Sequence, residues 1–201
     1  MLLPTLPAAL IVIDVQHSFA SGPEWAPRMQ RIGELASAWR AAGMPVIFTQ
    51  EVHRASGIDF GRELDGTEDV HCLDNDPATS IAMAIQPDDH VITKRRYSCF
   101  IGTDLDILLR GLGVQTIVLT GALTDVCVHY TFADAHQRDF YVRVVSDAVT
   151  GSSRARHDAS LDAMEYLQSG SNRTSAEVIA AFEEIALSRT AARDVPTLVE
   201  A

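Results

Sequence analysis

The sequence predicts an α/β fold in which helices cover a mainly parallel sheet. Two observations lead to this prediction. Apolar, β-rich runs alternate along the chain with segments of helical periodicity. The runs also lack polar alternation, which is typical of strands that are buried on both faces of a sheet. The length of 201 residues fits one domain, residues 1–201, with a sizeable core.

The first half of the chain contains two predicted strands and one long predicted helix. The last segment of this half is rich in Gly, Asp and His and has little periodicity. A segment of that kind is usually functional or mobile in a compact domain. In chain order the segments are the strand Ala8–Ile13, the loop Gln16–Pro27, the helix Met29–Ala42, the strand Val46–Gln50 and the loop Glu51–Asp76.

The second half continues the alternation and ends in a polar tail from Ser188, which we expect to fray. Its helices carry apolar residues at helical spacing, and its strands are short. In chain order the segments are the short helix Ala78–Ile85, the strand His90–Thr93, the helix Asp104–Leu112, the strand Thr116–Thr120, a helix from Thr124, the strand Tyr141–Val145, the helix Arg154–Gln168, the edge strand Arg173–Ser175 and the helix Ala176–Leu187.

The composition argues against several classes of function. The chain has 16 basic and 27 acidic residues and a net charge of −11, whereas binding to nucleic acid or to an anionic membrane requires a basic surface. The three cysteines form no CxxC pair, so we expect a reducing, cytoplasmic location. The apolar N-terminus lacks the basic region of a signal peptide, and no run is long enough to span a bilayer.

One stretch, Thr116 to Ala135, combines a strand, a break at Gly121 and a new helix with Thr124 as its N-cap. Cys127 falls in the first turn of that predicted helix, where free backbone N–H groups and the helix dipole favour the thiolate. A cysteine near a helix start is also commonly a small buried hydrophobe. Taken alone, the stretch slightly favours the packed cysteine.

Three chemically useful side chains leave the same predicted edge of the sheet. Asp14 follows the first strand, Lys94 follows the third, and Cys127 follows the fourth after its turn. Ligands bind at the carboxyl ends of the strands in such sheets. Asp14 can accept the thiol proton if burial raises its pKa, and Lys94 can stabilise the thiolate and the developing charge. Separately, Asp14 would be an ordinary loop cap and Lys94 a solvated strand end.

Backbone N–H groups around Leu123 and Cys127 are candidates for an oxyanion hole. The turn Gly121-Ala122-Leu123 contains only one glycine, so a strained peptide bond there is a reasonable hypothesis.

Three separated motifs, VIDVQHSF, TKRRYSCF and TGALTDVCVHYTFADA, resemble those of the isochorismatase-like cysteine hydrolase superfamily. The resemblance extends from about Ala8 to Ala148. It implies a three-layer, Rossmann-like fold with a six-stranded sheet. It also implies that Asp14, Lys94 and Cys127 form a catalytic triad that works through an acyl-thioester. Further implications are a cis peptide bond at Ala122–Leu123, oxyanion donors at Leu123 and Cys127, and a homodimer or homotetramer.

The cysteine decides between the branches of this superfamily. Members that resemble isochorismatase itself cleave a vinyl ether and lack the cysteine, so Cys127 favours hydrolysis of a C–N bond. Nicotinamidases in the superfamily bind a metal through an Asp-x-His pair and a later His. Glu51, His53 and His71 match that pattern only in part, so we expect no metal cofactor, although such ligands would suit Zn, Mn or Fe.

The resemblance favours a small amide or ureide as the substrate. The stretch EVHRASGIDFGRELDG is similar to the ureide or carbamoyl branch, where His53, Arg54 or Arg62 would bind a substrate carbonyl or carboxylate. Equally, these residues would tie the long loop to neighbouring acids. Tyr97 and Phe100 are candidates for an apolar wall of the substrate pocket, or they pack in the core. Phe19 is a further candidate for substrate binding. A thiol redox sensor is the non-enzymatic alternative, but the sequence offers no obvious resolving cysteine.

Overall fold

Six parallel strands form one sheet in the computed structural model, which describes residues 6–20, 22–66 and 68–183. The strands are β1 (Ala8–Ile13), β2 (Val46–Glu51), β3 (His90–Lys94), β4 (Thr116–Ala122), β5 (Tyr141–Thr150) and β6 (Asn172–Arg173). Their order in the sheet is β3-β2-β1-β4-β5-β6, and all neighbouring pairs are parallel. The predicted α/β class and six-stranded parallel sheet are confirmed.

The helices lie on the two faces of this sheet. They are α1 (Trp25–Ala41), α2 (Leu105–Gly111), α3 (His129–His136), α4 (Arg154–Leu167) and α5 (residues 175–183). Side chains of β1 alternate between two apolar clusters, with Ile11 and Ile13 in one and Leu10 and Val12 in the other. The first cluster includes residues of α2, α3 and α4, and the second includes residues of α1 and α5. This double burial explains why β1 is apolar throughout. None of the described helices has both the length and the apolar character that a membrane crossing requires.

The strand order places a crevice at the middle of the sheet. The chain runs outward from β1 through β2 to β3, and it then returns to β4 on the other side of β1. The carboxyl ends of β1 and β4 therefore lie at a switch in strand order, where ligands bind in open α/β sheets. Asp14 follows β1, Glu51 and Lys94 end β2 and β3, and Cys127 follows β4.

Most predicted elements are present, with shifted bounds. The first helix begins at Trp25, four residues before the predicted Met29, because Pro27 lies in its first turn, where a backbone N–H has no partner within the helix. β5 extends to Thr150, beyond the predicted Val145, and β6 begins at Asn172. Residues 175–183 are helical; the rest of the predicted last helix and the polar tail from Ser188 lie outside the described residues.

Two predictions of local structure are wrong. The predicted helix Ala78–Ile85 is only a 3₁₀ turn at Pro77–Thr79, because the backbone N–H of Ala82 donates to the carbonyl of Val15 and draws this segment beside the loop after β1. Thr124 does not cap a helix. Leu123 occupies that position, and a π-helical turn, Thr124–Val128, precedes α3.

Gly121 is a point of close backbone approach between β4 and β1. Its φ is +105°, and a Cβ atom built on it would lie 2.0 Å from the carbonyl oxygen of Ile13. Backbone atoms in the middle of a sheet have little freedom to move away. Any side chain at this position would therefore separate the two strands that carry the catalytic candidates.

We predict that Gly121→Ala lowers the free energy of unfolding by more than about 3 kcal/mol, because the new methyl group overlaps the β1 backbone. Urea denaturation followed by circular dichroism measures this change. Gly113→Ala is the matched control, since Gly113 also has a positive φ, +67°, but nothing lies within 4 Å of its Cβ position. The control variant should lose only about 1–2 kcal/mol. Equal losses in the two variants would contradict the role given to the close approach.

Candidate active site

The ammonium group of Lys94 lies at the centre of a buried cluster. Its Nζ atom is 2.7 Å from Oδ2 of Asp14, 2.7 Å from Oε2 of Glu51 and 3.5 Å from Sγ of Cys127. All four residues are buried, with at most 6% of any of them exposed. The structure therefore brings together the three residues that the sequence selected and adds a second carboxylate, that of Glu51.

The ends of β1 and β2 hold the two carboxylates in place. Asp14 has a positive φ of 49°, a conformation that Asp tolerates better than most residues. Its backbone N–H donates to Oγ1 of Thr49 at 3.2 Å, and that hydroxyl donates to Oδ1 of Asp14 at 2.8 Å. Gln16 makes two hydrogen bonds with the backbone of Glu51, at 2.8 and 3.0 Å. The loop after β1 is thus fastened to the end of β2.

The two carboxylates differ in basicity. Burial raises the pKa of Asp14, and the Coulombic attraction of Lys94 offsets this only in part. Burial also acts to raise the pKa of Glu51, but Lys94 and hydrogen bonds from His53 and His71 outweigh it, so this pKa is lowered. Lys94 keeps its proton, because its carboxylate partners outweigh burial and raise its pKa.

Cys127 is a protonated thiol in this environment. Burial raises its pKa well above the ordinary value, and the nearby Lys94 does not compensate. The prediction that a helix N-terminus favours the thiolate is therefore wrong: Cys127 lies in the π-helical turn before α3, and desolvation dominates. Burial also raises the pKa of Cys99 to about 11 and that of Cys72 to about 12. Cys127 therefore differs from Cys72 and Cys99 in its position on the cavity wall and not in the acidity of its thiol.

A cavity of about 230 Å³ opens onto the sulfur atom of Cys127. Its wall is mainly apolar and also includes acidic side chains. The lining residues are Phe19, Glu51, Glu68, Asp69, His71, Tyr97, Ala122, Leu123, Val126 and Cys127. The peptide bond between Ala122 and Leu123 in this wall is cis. Tyr97 and Phe19, two of the candidate substrate-binding residues, both line this cavity, whereas Phe100 does not line it and packs in the core.

Three proposed substrate-binding residues do not line the cavity. Arg54 pairs with Asp59 at 3.0 Å, and Arg62 pairs with Asp65 at 3.0 Å while its side chain remains 94% exposed. His53 is buried and stacks on the ring of Phe60, with 3.8 Å between the ring centroids. The structure thus shows the arginines in the alternative role, tying the loop to neighbouring acids.

Sequence reasoning missed Glu51 as a member of the buried cluster. It was assigned to the start of the long loop, yet it is the last residue of β2 and meets Lys94 across the register of the sheet. The rule that ligands bind where parallel strands end would have selected it. Glu68 and Asp69 were missed because their segment has no periodicity, so the sequence did not indicate which of its side chains face the cavity.

Glu51, His53 and His71 offer one ligand atom each to a metal ion. Oε1 of Glu51 lies 2.9 Å from Nε2 of His71 and 3.3 Å from Nε2 of His53. The opposite ring nitrogens differ: Nδ1 of His71 is 2.7 Å from the Asp69 carbonyl oxygen, whereas Nδ1 of His53 lies 3.6 Å from Oδ1 of Asp59 and makes no hydrogen bond with the described residues. Metal-ligating histidines are commonly oriented as His71 is, and the three ligand atoms suit an ion such as Zn²⁺.

Comparison with known proteins gives consistent matches. Residues 8–178 match the model of the isochorismatase domain. The ureidoacrylate amidohydrolase RutB of Methylorubrum extorquens is 30% identical over 175 residues, which cover 69% of this chain and 68% of that protein. A cysteine hydrolase structure from Pseudomonas syringae pv. phaseolicola has a TM-score of 0.80 and 33% identity, covering 88% of this chain and 92% of that one. The pyrazinamidase of Pyrococcus horikoshii in complex with zinc has a TM-score of 0.74 and 30% identity, covering 83% and 97%.

We predict that Lys94→Met lowers the free energy of unfolding by about 3–5 kcal/mol near pH 7.5, because it leaves two carboxylates buried without a cation. Lys94 lowers the pKa of both Asp14 and Glu51, so its removal raises both values in the folded state. A carboxyl whose pKa is higher in the folded state destabilises the fold when ionised. The loss should therefore shrink toward about pH 5, as the two carboxyls take up protons.

Urea unfolding at the two pH values measures this effect. Arg110→Met, which removes an exposed ion pair with Asp106 on α2, is the matched control and should change stability little at either pH. A loss for Lys94→Met that is independent of pH would contradict the electrostatic account.

Proposed function

Because the chain belongs to the isochorismatase family, we propose that it is a cysteine hydrolase that cleaves a non-peptide C–N bond of a small amide or ureide through an acyl-thioester. The observation that carries this proposal is the buried cluster of Asp14, Lys94 and Cys127 at the base of a cavity. The names of the similar proteins, ureidoacrylate amidohydrolase and pyrazinamidase, support the bond class.

In the first step the sulfur of Cys127 attacks the substrate carbonyl carbon while a carboxylate takes the thiol proton. Two carboxylates are within reach: the ligating oxygens of Asp14 and Glu51 and the sulfur atom all lie within 4.8 Å of one another. Asp14 is the better base because its pKa is raised, whereas that of Glu51 is lowered. A well-placed general base contributes about 10²–10⁴-fold in rate. Glu51 instead holds Lys94 and stays ionised.

The tetrahedral intermediate carries a negative oxygen, for which we assign the backbone N–H groups of Leu123 and Cys127 as donors. Both residues line the cavity, on the turn that follows β4. Lys94, 3.5 Å from the sulfur, opposes the negative charge that develops there. A donor of this kind is typically worth about 10²–10³-fold in turnover.

Collapse of the intermediate breaks the C–N bond. The protonated Asp14 returns its proton to the departing nitrogen, which leaves as ammonia or an amine, and a thioester remains on Cys127. A water molecule then attacks the thioester carbon, and Asp14 accepts its proton. The second tetrahedral intermediate expels the sulfur, which regains a proton from Asp14 as the carboxylic or carbamic acid leaves.

We predict that Cys127→Ala lowers turnover by at least about 10³-fold while the fold persists, because no other group on the cavity wall can form the thioester. Ammonia release over a panel of small amides and ureides measures turnover, and circular dichroism measures the fold. Cys99→Ala is the matched control, because Cys99 is an equally buried thiol that does not line the cavity. Full activity in Cys127→Ala would refute the mechanism.

A second candidate is a metal-assisted amidase, and the convergence of Glu51, His53 and His71 favours it. A bound Zn²⁺ would polarise a substrate carbonyl or lower the pKa of a water molecule. In that case Oε1 of Glu51 and the Nε2 atoms of both histidines would hold the ion, while Oε2 of Glu51 remains paired with Lys94. The similar pyrazinamidase was crystallised with zinc, which supports testing this candidate.

Removal of metal separates the two candidates. Under the cysteine mechanism without a cofactor, we expect dialysis against EDTA to leave ammonia release unchanged, with no stoichiometric metal found by mass spectrometry of the native protein. Activity that falls on chelation and returns with one equivalent of Zn²⁺ or Mn²⁺ would establish the second candidate. The His71→Ala variant should then also lose the bound metal, which gives a readout apart from activity.

A further inference from the structure

The charged groups on the cavity wall are predominantly acidic. Glu68 and Asp69 line the cavity beside Phe19, Tyr97 and the apolar turn after β4. The hydroxyl group of Tyr97 donates to Oε2 of Glu68 at 2.8 Å, and this bond holds the carboxylate in place. The other carboxylate oxygen of Glu68 makes no hydrogen bond with the described residues.

The arginines near the cavity are already engaged. Arg54 and Arg95 both pair with Asp59, at 3.0 and 2.8 Å, and neither lines the cavity. Arg96 lies 3.6 Å from Glu63, a side chain that is only 8% exposed. The acids of the loop after β2 therefore neutralise the bases that would otherwise serve a substrate carboxylate.

The two remaining basic side chains, His71 and Lys94, have no N–H group directed at a substrate anion. Nε2 of His71 faces Oε1 of Glu51 at 2.9 Å, and Nδ1 faces the Asp69 carbonyl at 2.7 Å, so both ring nitrogens are used. Lys94 is enclosed by its two carboxylates and the carbonyl of Arg96. Within the cluster and the cavity wall, four carboxyl groups face only these two basic side chains.

We propose that this cavity selects an amide or ureide whose non-reacting end carries a cation, such as an ammonium or amidinium group. The proposal deepens the proposed function and rests on it. Glu68 and Asp69 are the specificity-determining residues, and the rings of Phe19 and Tyr97 add attraction for a cation. Glu68 has the larger effect, because it is half-buried and Asp69 is exposed, and charge interactions strengthen as solvent is excluded.

A substrate with a carboxylate at the same end meets like charge without a donor to offset it. Like charges brought together at a binding surface discriminate strongly against the wrong ligand. Rejection of a substrate carboxylate is the opposite of what the sequence of the loop indicated, since Arg54 and Arg62 were candidates for binding one. It also separates this cavity from that of a ureidoacrylate amidohydrolase, whose named substrate bears a carboxylate.

Binding of three matched amides to the Cys127→Ala variant tests the proposal. The ligands are 4-aminobutanamide, pentanamide and succinamate, which share the amide and differ in the charge of the other end. Isothermal titration calorimetry at low salt should give the lowest dissociation constant for the cationic 4-aminobutanamide. The constant should rise about tenfold for the neutral pentanamide and about tenfold again for the anionic succinamate. The preference should diminish at high salt, as screening requires.

Charge-neutralising variants on the same background locate the effect. Glu68→Gln should reduce the preference for 4-aminobutanamide over succinamate about tenfold, and Asp69→Asn should reduce it less. Asp65→Asn is the matched control: it removes one charge from the same loop, but Asp65 pairs with Arg62 outside the cavity. The preference of this control for 4-aminobutanamide over succinamate should equal that of the Cys127→Ala protein.

Two results would overturn the proposal: succinamate binding as tightly as 4-aminobutanamide, or an unchanged preference in Glu68→Gln. Because these measurements use a variant without the nucleophile, they do not depend on turnover. Failure of the native protein to hydrolyse any amide or ureide would refute the proposed function and leave the measured charge preference standing as a property of the cavity.

Discussion

The ion pairs of the buried Lys94 are the interaction on which the rest of the structure depends. One ammonium group faces two carboxylates in a volume that excludes water, so the cluster has more negative than positive charge. Removing such groups from water is unfavourable, and their mutual attraction offsets this only where the geometry is good. Burial raises the pKa of Asp14 and keeps Cys127 protonated, and the negative charge of Glu51 adds to both effects. A protonated nucleophile beside a carboxylate of raised pKa is a pair that can exchange a proton when a substrate arrives.

The parallel sheet supplies this geometry. Glu51 and Lys94 are register partners on the adjacent strands β2 and β3, and this pairing places their side chains next to each other. On the other side, Ile13 pairs with Gly121, which has no side chain to hold the strands apart. The residues that follow these two positions are Asp14 and the turn that leads to Cys127. The distances in the cluster are therefore set by strand register, and the loops add the wall of the cavity.

The sequence predicted features that depend on local pattern or on chain order. Asp14, Lys94 and Cys127 were placed at one sheet edge because each follows an apolar run. Features that depend on tertiary surroundings were not predictable. The pKa of Cys127 follows from desolvation by the whole fold, which outweighs any helix dipole. The segment around Ala82 has helical spacing, but its backbone pairs with Val15 instead. The arginines near the cavity pair with Asp59 and Glu63, and these pairs depend on the path of the loop after β2, which has no periodicity from which to predict it.

Substrate charge and nucleophile activation act through the same electric field. Burial keeps the Cys127 thiol protonated, and the negative charges of Asp14 and Glu51 add to this effect. The same negative charges oppose an anionic ligand in the cavity beside it. A cation bound near Glu68 would offset part of that field and lower the pKa of the thiol, whereas an anion would raise it further. A cavity built this way therefore activates its nucleophile best when the ligand that it selects by charge is bound. In the empty protein the thiol stays protonated and is a poor target for oxidants, since the thiolate is the reactive form.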